Sequence, residues 1–276
     1  MGKPMGMNFL KAGFPLTVWN RTASRADELV AAGAKVAQSP RELAANSEFV
    51  ISIVSDPPAL EAVLWGQNGA LHGLQRGSIY VDSSTVSPTL ARKVAIACQE
   101  RDVRFLDAPV TGGDWGAKKG ELVFMVGGDA AVLAEAEPVL RVLGKKWFHL
   151  GPHGAGQTIK LAMNLILALE VDALAEAMAL VTAAGLQGEK LVEVMQSSMA
   201  RSGVLDIKSQ NLLKGEYPPS FSLRLMHKDM RLALELAQQT HVELPAAEAA
   251  YKTYSTVKEA AKEDLDYSAV MKFWNK

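Results

Sequence analysis

Lys160 and Asn164 stand four residues apart in the segment GAGQTIKLAMN, residues 154–164. That spacing puts both on one face of a helix. Met163 and Leu167 are close by, so the face is also apolar. Apolar surroundings disfavour the charge of a lysine and lower its pKa. An ammonium group that titrates near neutrality both gives and takes protons well. The same letters also suit a lysine that snorkels from the first turn of a surface helix.

Other chemically suggestive residues follow apolar runs. DAPVTGG, residues 107–113, sets Gly112 and Gly113 after Thr111. Glycines there free the backbone to turn its N–H groups inward, as a nest for a small carboxylate; a plain glycine-rich turn is the other reading. FVISIV runs into Ser55-Asp56-Pro57, and SIYVD into Ser83-Ser84-Thr85. In open α/β sheets ligands bind outside the carboxyl ends of strands, but Ser and Thr before proline also serve as ordinary helix caps. LTVW ends in Asn20-Arg21-Thr22. At the end of the second strand of a doubly wound fold, an arginine pairs with a ribose 2′-phosphate. Gly2 is the candidate for the third glycine of a phosphate-binding fingerprint, which lies about 20 residues upstream of that position. A solvated turn arginine is the alternative. In FSLRLMHKDMRLALELA, Lys228 and Asp229 read as a charged pair on a helix.

The elements that must position these residues alternate in the first half. KPMGMNFLKA is helical in pattern and Gly13 ends it; LTVW and AKVA are short β-type runs around the helix SRADELVAAG. Ser39 caps a helix that starts at Pro40. FVISIV is a continuous, β-branched apolar run, the mark of a strand buried on both faces. SIYVDSS, VRFLDAPV, LVFMVGG and KWFHLG continue the strands, with helices between. This alternation predicts βαβ units and a mostly parallel sheet. From Gly156 to Ala184 runs one long helical pattern, and helices follow to the end. The boundary falls at about Gly151–Gly154, giving domains 1–153 and 154–276.

Composition narrows the function. The 276 residues carry a net charge of -1, which argues against nucleic acid or an anionic membrane surface as partner. The one cysteine, Cys98, sits in a helical pattern and reads as a buried structural thiol. Of the five histidines, none has a metal-ligand spacing, so no metal site is expected. No uncharged run reaches the roughly 20 residues of a membrane span. A cytoplasmic protein is expected, with targeting left open by the unusual start of the chain.

Taken together, these motifs resemble the β-hydroxyacid dehydrogenase family, and the likeness runs over nearly the whole chain. MGKPM resembles the end of that family's glycine-rich fingerprint, VWNRT its NADP-type second strand, and DSST its D-x-S-T. DAPVTGG resembles the substrate loop, GAGQTIKLAMN the catalytic segment, and HKDM the Lys-Asp pair that closes the site. The likeness implies a Rossmann-type α/β domain followed by an all-α domain, in a homo-oligomer, dimer or tetramer. It implies Lys160 as the catalytic acid/base. Ser84, Thr111, Gly112, Gly113, Asn164, Phe221 and Asp229 would bind a small carboxylate substrate. Met1, Gly2, Asn20, Arg21, Thr22, Val54, Ser55, Asp56, Thr85 and Lys228 would contact NADP(H). The branch that looks most similar is the glyoxylate/succinic semialdehyde reductases. A 3-hydroxyisobutyrate-type or tartronate semialdehyde activity is the alternative, and imine reductases rank lower because they usually lack the lysine. A non-catalytic oligomerisation or binding protein is the other class; nucleosome-associated relatives have lost the lysine that Lys160 retains. Asp114-Trp115 departs from the small or lysine-rich letters expected after the double glycine.

The resemblance also implies a first strand and two glycines ahead of Gly2, roughly ten residues by usual strand length plus turn. That strand is central in the order 3-2-1-4-5-6. Its omission should leave a gap in mid-sheet, remove most of the pyrophosphate cradle, and weaken both NADP(H) binding and stability. Supplying an in-frame strand ending in G-x-G should therefore raise NADPH affinity sharply, read by fluorescence titration. Equal affinity of the two forms would defeat the idea.

Overall fold

The computed structural model describes residues 1–274. The chain forms two compact units, Met1–Lys160 and a second that begins at Leu161.

In unit 1 the chain runs through α1 (Gly2–Lys11), β1 (Thr17–Val18), α2 (Asp27–Ala31), β2 (Lys35–Val36) and α3 (Pro40–Ala45). It continues through β3 (Phe49–Ser52), α4 (Pro57–Trp65), β4 (Ile79–Asp82), α5 (Pro88–Gln99), β5 (Arg104–Asp107) and β6 (Val110–Thr111). Then come α6 (Gly113–Lys119), β7 (Leu122–Gly128), α7 (Ala130–Leu143), β8 (Gly144–His149) and the start of α8 (Ala155–Ala183). Local chemistry sets many of the helix starts. Ser39 accepts the Glu42 N–H while Glu42 reaches back to the Gln38 N–H, around Pro40 in the first turn. Asp56 and Ser87 cap α4 and α5 in the same way, each before a proline.

β3, β4 and β5 are parallel neighbours, so their connections must cross over, through α4 and α5. Alternate residues serve the two faces. Ile79, Val81 and Leu106 join a cluster with Met5 and Phe9 of α1 and Leu133 and Leu140 of α7. Tyr80 and Phe105 join the opposite cluster, with Leu60 and Leu64 of α4 and Val94 and Cys98 of α5. Burial pushes the Cys98 thiol up to about 12, which makes it a packing residue.

Two sequence expectations need correction. The run 103–110 is two strands, not one: Pro109 has no N–H to donate, and β6 leaves β5 to pair antiparallel with β7. FVISIV is not buried throughout. Val50 and Ser52 are buried, while Phe49 and Ile51 are half-buried, because β3 has a hydrogen-bonded neighbour, β4, on one edge only. On the other side, β1 and β2 form a separate parallel pair, and among the described residues no ladder joins β1 to β3.

Unit 2 is helical: the rest of α8, then α9 (Gly188–Gln196), α10 (Gly203–Lys214), α11 (Leu223–Gln239), α12 (Pro245–Ala260) and a 3₁₀ turn, Tyr267–Phe273. Its core takes Ala168, Val171, Ala175 and Met178 from α8, spaced by three and four residues as a helix stripe requires. The Tyr254 hydroxyl donates to the Ala168 carbonyl from within that core.

The start of α8 is seated on the sheet of unit 1. The first N–H groups of a helix have no partner within it. Asp107, at the end of β5, accepts from the Gly154 N–H at 2.7 Å and the Gln157 N–H at 3.2 Å. A Cβ on Gly156 would lie 2.2 Å from the Met125 carbonyl oxygen, so this close approach needs glycine. Burial raises the Asp107 carboxyl to about 6, against the two backbone bonds that lower it. A raised carboxyl contributes stability that is full below its unfolded value, near 4, and is lost as pH rises through about 6. Asp107→Asn mimics the neutral acid, with a pH-independent loss where its NH₂ meets a backbone N–H. The stability of the variant relative to wild type should therefore improve by about 1–3 kcal/mol between pH 4 and pH 7. Thermal melts across that range check it; a constant difference is the opposing result.

Candidate active site

Lys160 lies in the second turn of α8 and is only 7 % exposed. It is a buried lysine, not one that snorkels at a surface. One turn earlier, the Gln157 side chain pins the helix to the end of β4. Its Nε2 donates to the Ser84 carbonyl at 2.9 Å, and its Oε1 accepts from the Val86 N–H at 3.0 Å. These two bonds bracket Thr85, which is half-buried between them. Together with the Asp107 cap, they set the height of Lys160 above the sheet.

The carboxyl ends of the strands carry the other expected residues of unit 1. After β1, Asn20, Arg21 and Thr22 are exposed, and Asn20 Nδ2 folds the turn by donating to the Thr22 carbonyl at 2.7 Å. After β3, the half-buried Val54 donates its N–H to Ser84 Oγ at 2.9 Å. The exposed Ser55 donates to Asp56 Oδ2, and Asp56 Oδ1 caps α4 through the Ala59 N–H. Asp56 is therefore already engaged as a helix cap. After β4, Ser84 Oγ donates to Asp82 Oδ1 at 2.7 Å while it accepts from Val54. Its hydroxyl binds the ends of β3 and β4 to each other. Asp82 also takes a bond from Ser52 Oγ at 2.6 Å, and burial raises its carboxyl to about 6. The neighbouring Ser83 differs: its Oγ is buried and without a hydrogen-bond partner. Met1 and Gly2 stand at the start of α1; a Cβ on Gly2 would touch Ile53 only at an ordinary 3.4 Å.

The turn from β6 into α6 holds Thr111, half-buried, then Gly112 and Gly113 with φ of 121° and 60°. Both values lie in the left-handed region that favours glycine. No heavy atom lies within 4 Å of a Cβ built on Gly113, so the backbone there borders open space. Trp115 is 61 % exposed on α6, with Lys119 Nζ 4.1 Å from its ring centre.

In unit 2, Asn164 is buried on α8, one helical turn beyond Lys160, and donates from Nδ2 to Asp229 Oδ2 of α11 at 2.6 Å. This leaves its amide oxygen as an acceptor. Lys228 Nζ forms an ion pair with Asp229 Oδ1 at 2.9 Å, so the two oxygens of this buried carboxylate face an amide and an ammonium group. Phe221, half-buried, packs edge-on against Tyr267 with ring centres 5.9 Å apart.

The structure thus groups the expected residues into two sets. Unit 1 gathers the strand ends, the Thr111–Gly113 turn and Lys160; unit 2 joins Asn164, Lys228 and Asp229. Sequence reasoning gave no role to Asp82, Asp107 and Gln157, and left Ser83 between a ligand-side hydroxyl and a helix cap. These residues lie inside the quoted motifs, but nothing in a motif separates a residue that seats the site from one that touches a ligand. His149 and His153 serve the fold, through bonds to the Gly128 and Phe105 carbonyls.

These residues fit a dinucleotide. An exposed cation follows β1, and a buried hydroxyl without a partner follows β4, both on the ligand-binding edge of an α/β sheet.

Residues 1–151 match the family model described as the NAD binding domain of 6-phosphogluconate dehydrogenase. Residues 154–274 match that described as NAD-binding of NADP-dependent 3-hydroxyisobutyrate dehydrogenase. The chain is 37 % identical to glyoxylate/succinic semialdehyde reductase 1 of Arabidopsis thaliana, over 98 % of this chain and 94 % of that one. It is 38 % identical to an NAD-dependent L-serine dehydrogenase of Pseudomonas aeruginosa, over 100 % and 95 %. The solved 3-hydroxyisobutyrate dehydrogenase of Mycobacterium tuberculosis superposes with a TM-score of 0.91 at 31 % identity, over 100 % of this chain and 96 % of that one. With both units matched in order and a relative of this identity aligned nearly end to end, the chain belongs to the β-hydroxyacid dehydrogenase family of NAD(P)-dependent oxidoreductases.

Proposed function

We propose that the protein reduces a short aldehyde or keto acid, of the glyoxylate or succinic semialdehyde type, to the hydroxyacid with NADPH. The observation that carries this reading is the buried Lys160, held by Asp107 and Gln157 at a set place beside the ligand-binding edge. A nicotinamide, when bound, would supply the hydride chemistry at the carbonyl carbon, in either direction. Lys160 donates a proton to the oxygen as it becomes an alkoxide. Neutralising charge that develops only in the transition state is what lowers a barrier. The amide oxygen of Asn164 orients the substrate, and Asp229 fixes that amide. The backbone of Thr111, Gly112 and Gly113 receives the substrate carboxylate, with Ser84 holding the adjoining strand ends in register.

Arg21 decides the cofactor. It is exposed at the end of β1, where an arginine pairs with a 2′-phosphate and an acidic residue would accept from a 2′-hydroxyl. Met1, Gly2, Asn20, Thr22, Val54, Ser55, Asp56, Thr85 and Lys228 complete the dinucleotide contacts in this reading. A homo-oligomer, dimer or tetramer, fits the exposed apolar side chains of Ile166 and Leu180 on α8.

A second reading, oxidation of a 3-hydroxyisobutyrate- or serine-like hydroxyacid, is favoured by Trp115. Its bulk comes two residues after the double glycine. A substrate panel separates the two readings.

Lys160→Met should lower kcat by about 10²–10⁴-fold, the usual worth of a general acid, while NADPH fluorescence titration still shows binding. Normal turnover refutes the assignment. Arg21→Ala should raise the KM for NADPH about tenfold or more, since a charge-assisted pair is worth upwards of 1.4 kcal/mol, and leave that for NADH almost unchanged. Equal effects on both cofactors would remove Arg21 from phosphate recognition.

A further inference from the structure

Unit 2 contains a second buried charge cluster, distinct from the one around Asp229. Lys208 of α10 and Asp266, just before the 3₁₀ turn, are 4 % and 0 % exposed. Lys208 Nζ is 2.8 Å from both carboxylate oxygens of Asp266 and donates to Ser220 Oγ at the same distance. Asp266 Oδ1 also accepts from the Ser268 N–H and hydroxyl, at 3.0 and 2.7 Å. Its Oδ2 accepts from the Ser220 hydroxyl and from the N–H groups of Ser220 and Phe221, at 2.9, 3.1 and 3.2 Å.

Those last two bonds have a particular target. The segment that leads to Ser222 contains Pro218 and Pro219 and has no helix or strand to satisfy its backbone. Asp266 supplies partners to the segment's part-buried N–H groups, from 46 residues away for Ser220 and 45 for Phe221. The Phe221 carbonyl accepts in turn from the Tyr267 N–H at 3.0 Å. Both backbone polar groups of Phe221 are thereby tied to the pair Asp266-Tyr267. The ring is tied as well: Tyr267 packs edge-on against Phe221, and Lys208 Nζ lies 4.6 Å from the Tyr267 ring centre. Burial alone would raise the Asp266 carboxyl, but the bonds from Lys208 and Ser268 outweigh it and hold it below the usual range, so it is ionised.

A buried ion pair is weak evidence for stability, because desolvation offsets much of the attraction. Here its bonds converge on the backbone of Ser220 and Phe221, and the Phe221 ring packs against the neighbouring Tyr267. We propose that Lys208 and Asp266 are positioning residues that fix the Phe221 ring, and so set which carbonyl substrate the enzyme accepts. The inference rests on the reading of Phe221 as a substrate-pocket residue. It predicts an effect on substrate selection without a loss of the proton donor, which lies on another helix.

The test uses the full chain with NADPH, glyoxylate and succinic semialdehyde. Asp266→Asn and Lys208→Met should raise KM about tenfold or more for at least one aldehyde, and change the ratio of kcat/KM between the two. The kcat should stay within about threefold, and the Kd for NADPH should not move. Lys208→Arg should restore the wild-type ratio. Phe221→Ala should shift the ratio in the same direction, and its effect should not add to that of Asp266→Asn, as expected of coupled residues. Amide hydrogen exchange should show protection lost at Ser220 and Phe221 ahead of the rest of unit 2. A fall in Tm with unchanged KM values overturns the proposal, as does exchange that rises uniformly. Variants too unstable to assay are replaced by Ser220→Ala, which removes only the hydroxyl bonds and should show a smaller shift of the same sign; no shift overturns the proposal. A wild-type protein inactive on both aldehydes would defeat the function reading instead, and the exchange data would still decide whether the pair holds Phe221.

Discussion

The acceptance of two helix N–H groups by Asp107 is the contact on which the site depends. A helix start buried against a sheet must find partners for its first donors. Asp107 meets the Gly154 and Gln157 N–H groups at the point where β5 ends. Gly156 lets the same turn press against Met125. Gln157 then clasps the end of β4 on both sides of Thr85. Once these bonds exist, the position of Lys160 is a matter of helix geometry, three residues further on. The arrangement carries its own electrostatic penalty, since burial raises the Asp107 carboxyl. A carboxylate is retained there because only its two oxygens can accept from both donors at once.

Polar groups around the site divide into those that are saturated and those that are not. Ser84 and Asp82 spend their bonds on β3 and β4. Ser83 keeps a buried hydroxyl without a partner beside them. In unit 2, Asp266 is surrounded by donors and clamps a loop, and Asp229 is held by Asn164 on one oxygen and the Lys228 ammonium on the other. A saturated buried network stiffens its surroundings, and an unsatisfied buried atom needs an explanation. For Ser83, at the strand end, the proposed function supplies that explanation in a ligand atom.

The break in the sheet is a second constraint. Among the described residues β1 and β2 pair with each other only, and β3 is an edge. Phe49 and Ile51 remain half-buried as a result, although their letters are those of an interior strand. The side of unit 1 that carries Arg21 is joined to the main sheet by helix packing instead of a ladder: a Cβ on Gly6 of α1 would meet Leu29 of α2 at 3.0 Å.

Much of this could be read from the letters, for a physical reason. Helix caps such as Ser39-Pro40 and Ser87-Pro88 act within four residues, and the Lys160–Asn164 spacing is set by one turn of helix. The order of β-type and helical runs is equally local, as is the left-handed backbone that Gly112 and Gly113 permit. Motif order added the family and the expectation of a gap beside β1. Tertiary structure alone decided the rest. Pro109 hinted at a break, but the pairing of β6 with β7 depends on a partner strand. The bonds of Asp107 to Gly154, of Gln157 to Ser84 and of Lys208 to Asp266 span 47, 73 and 58 residues. No periodicity or local propensity encodes contacts at such distances; they exist only once packing has brought the partners together and excluded water from between them.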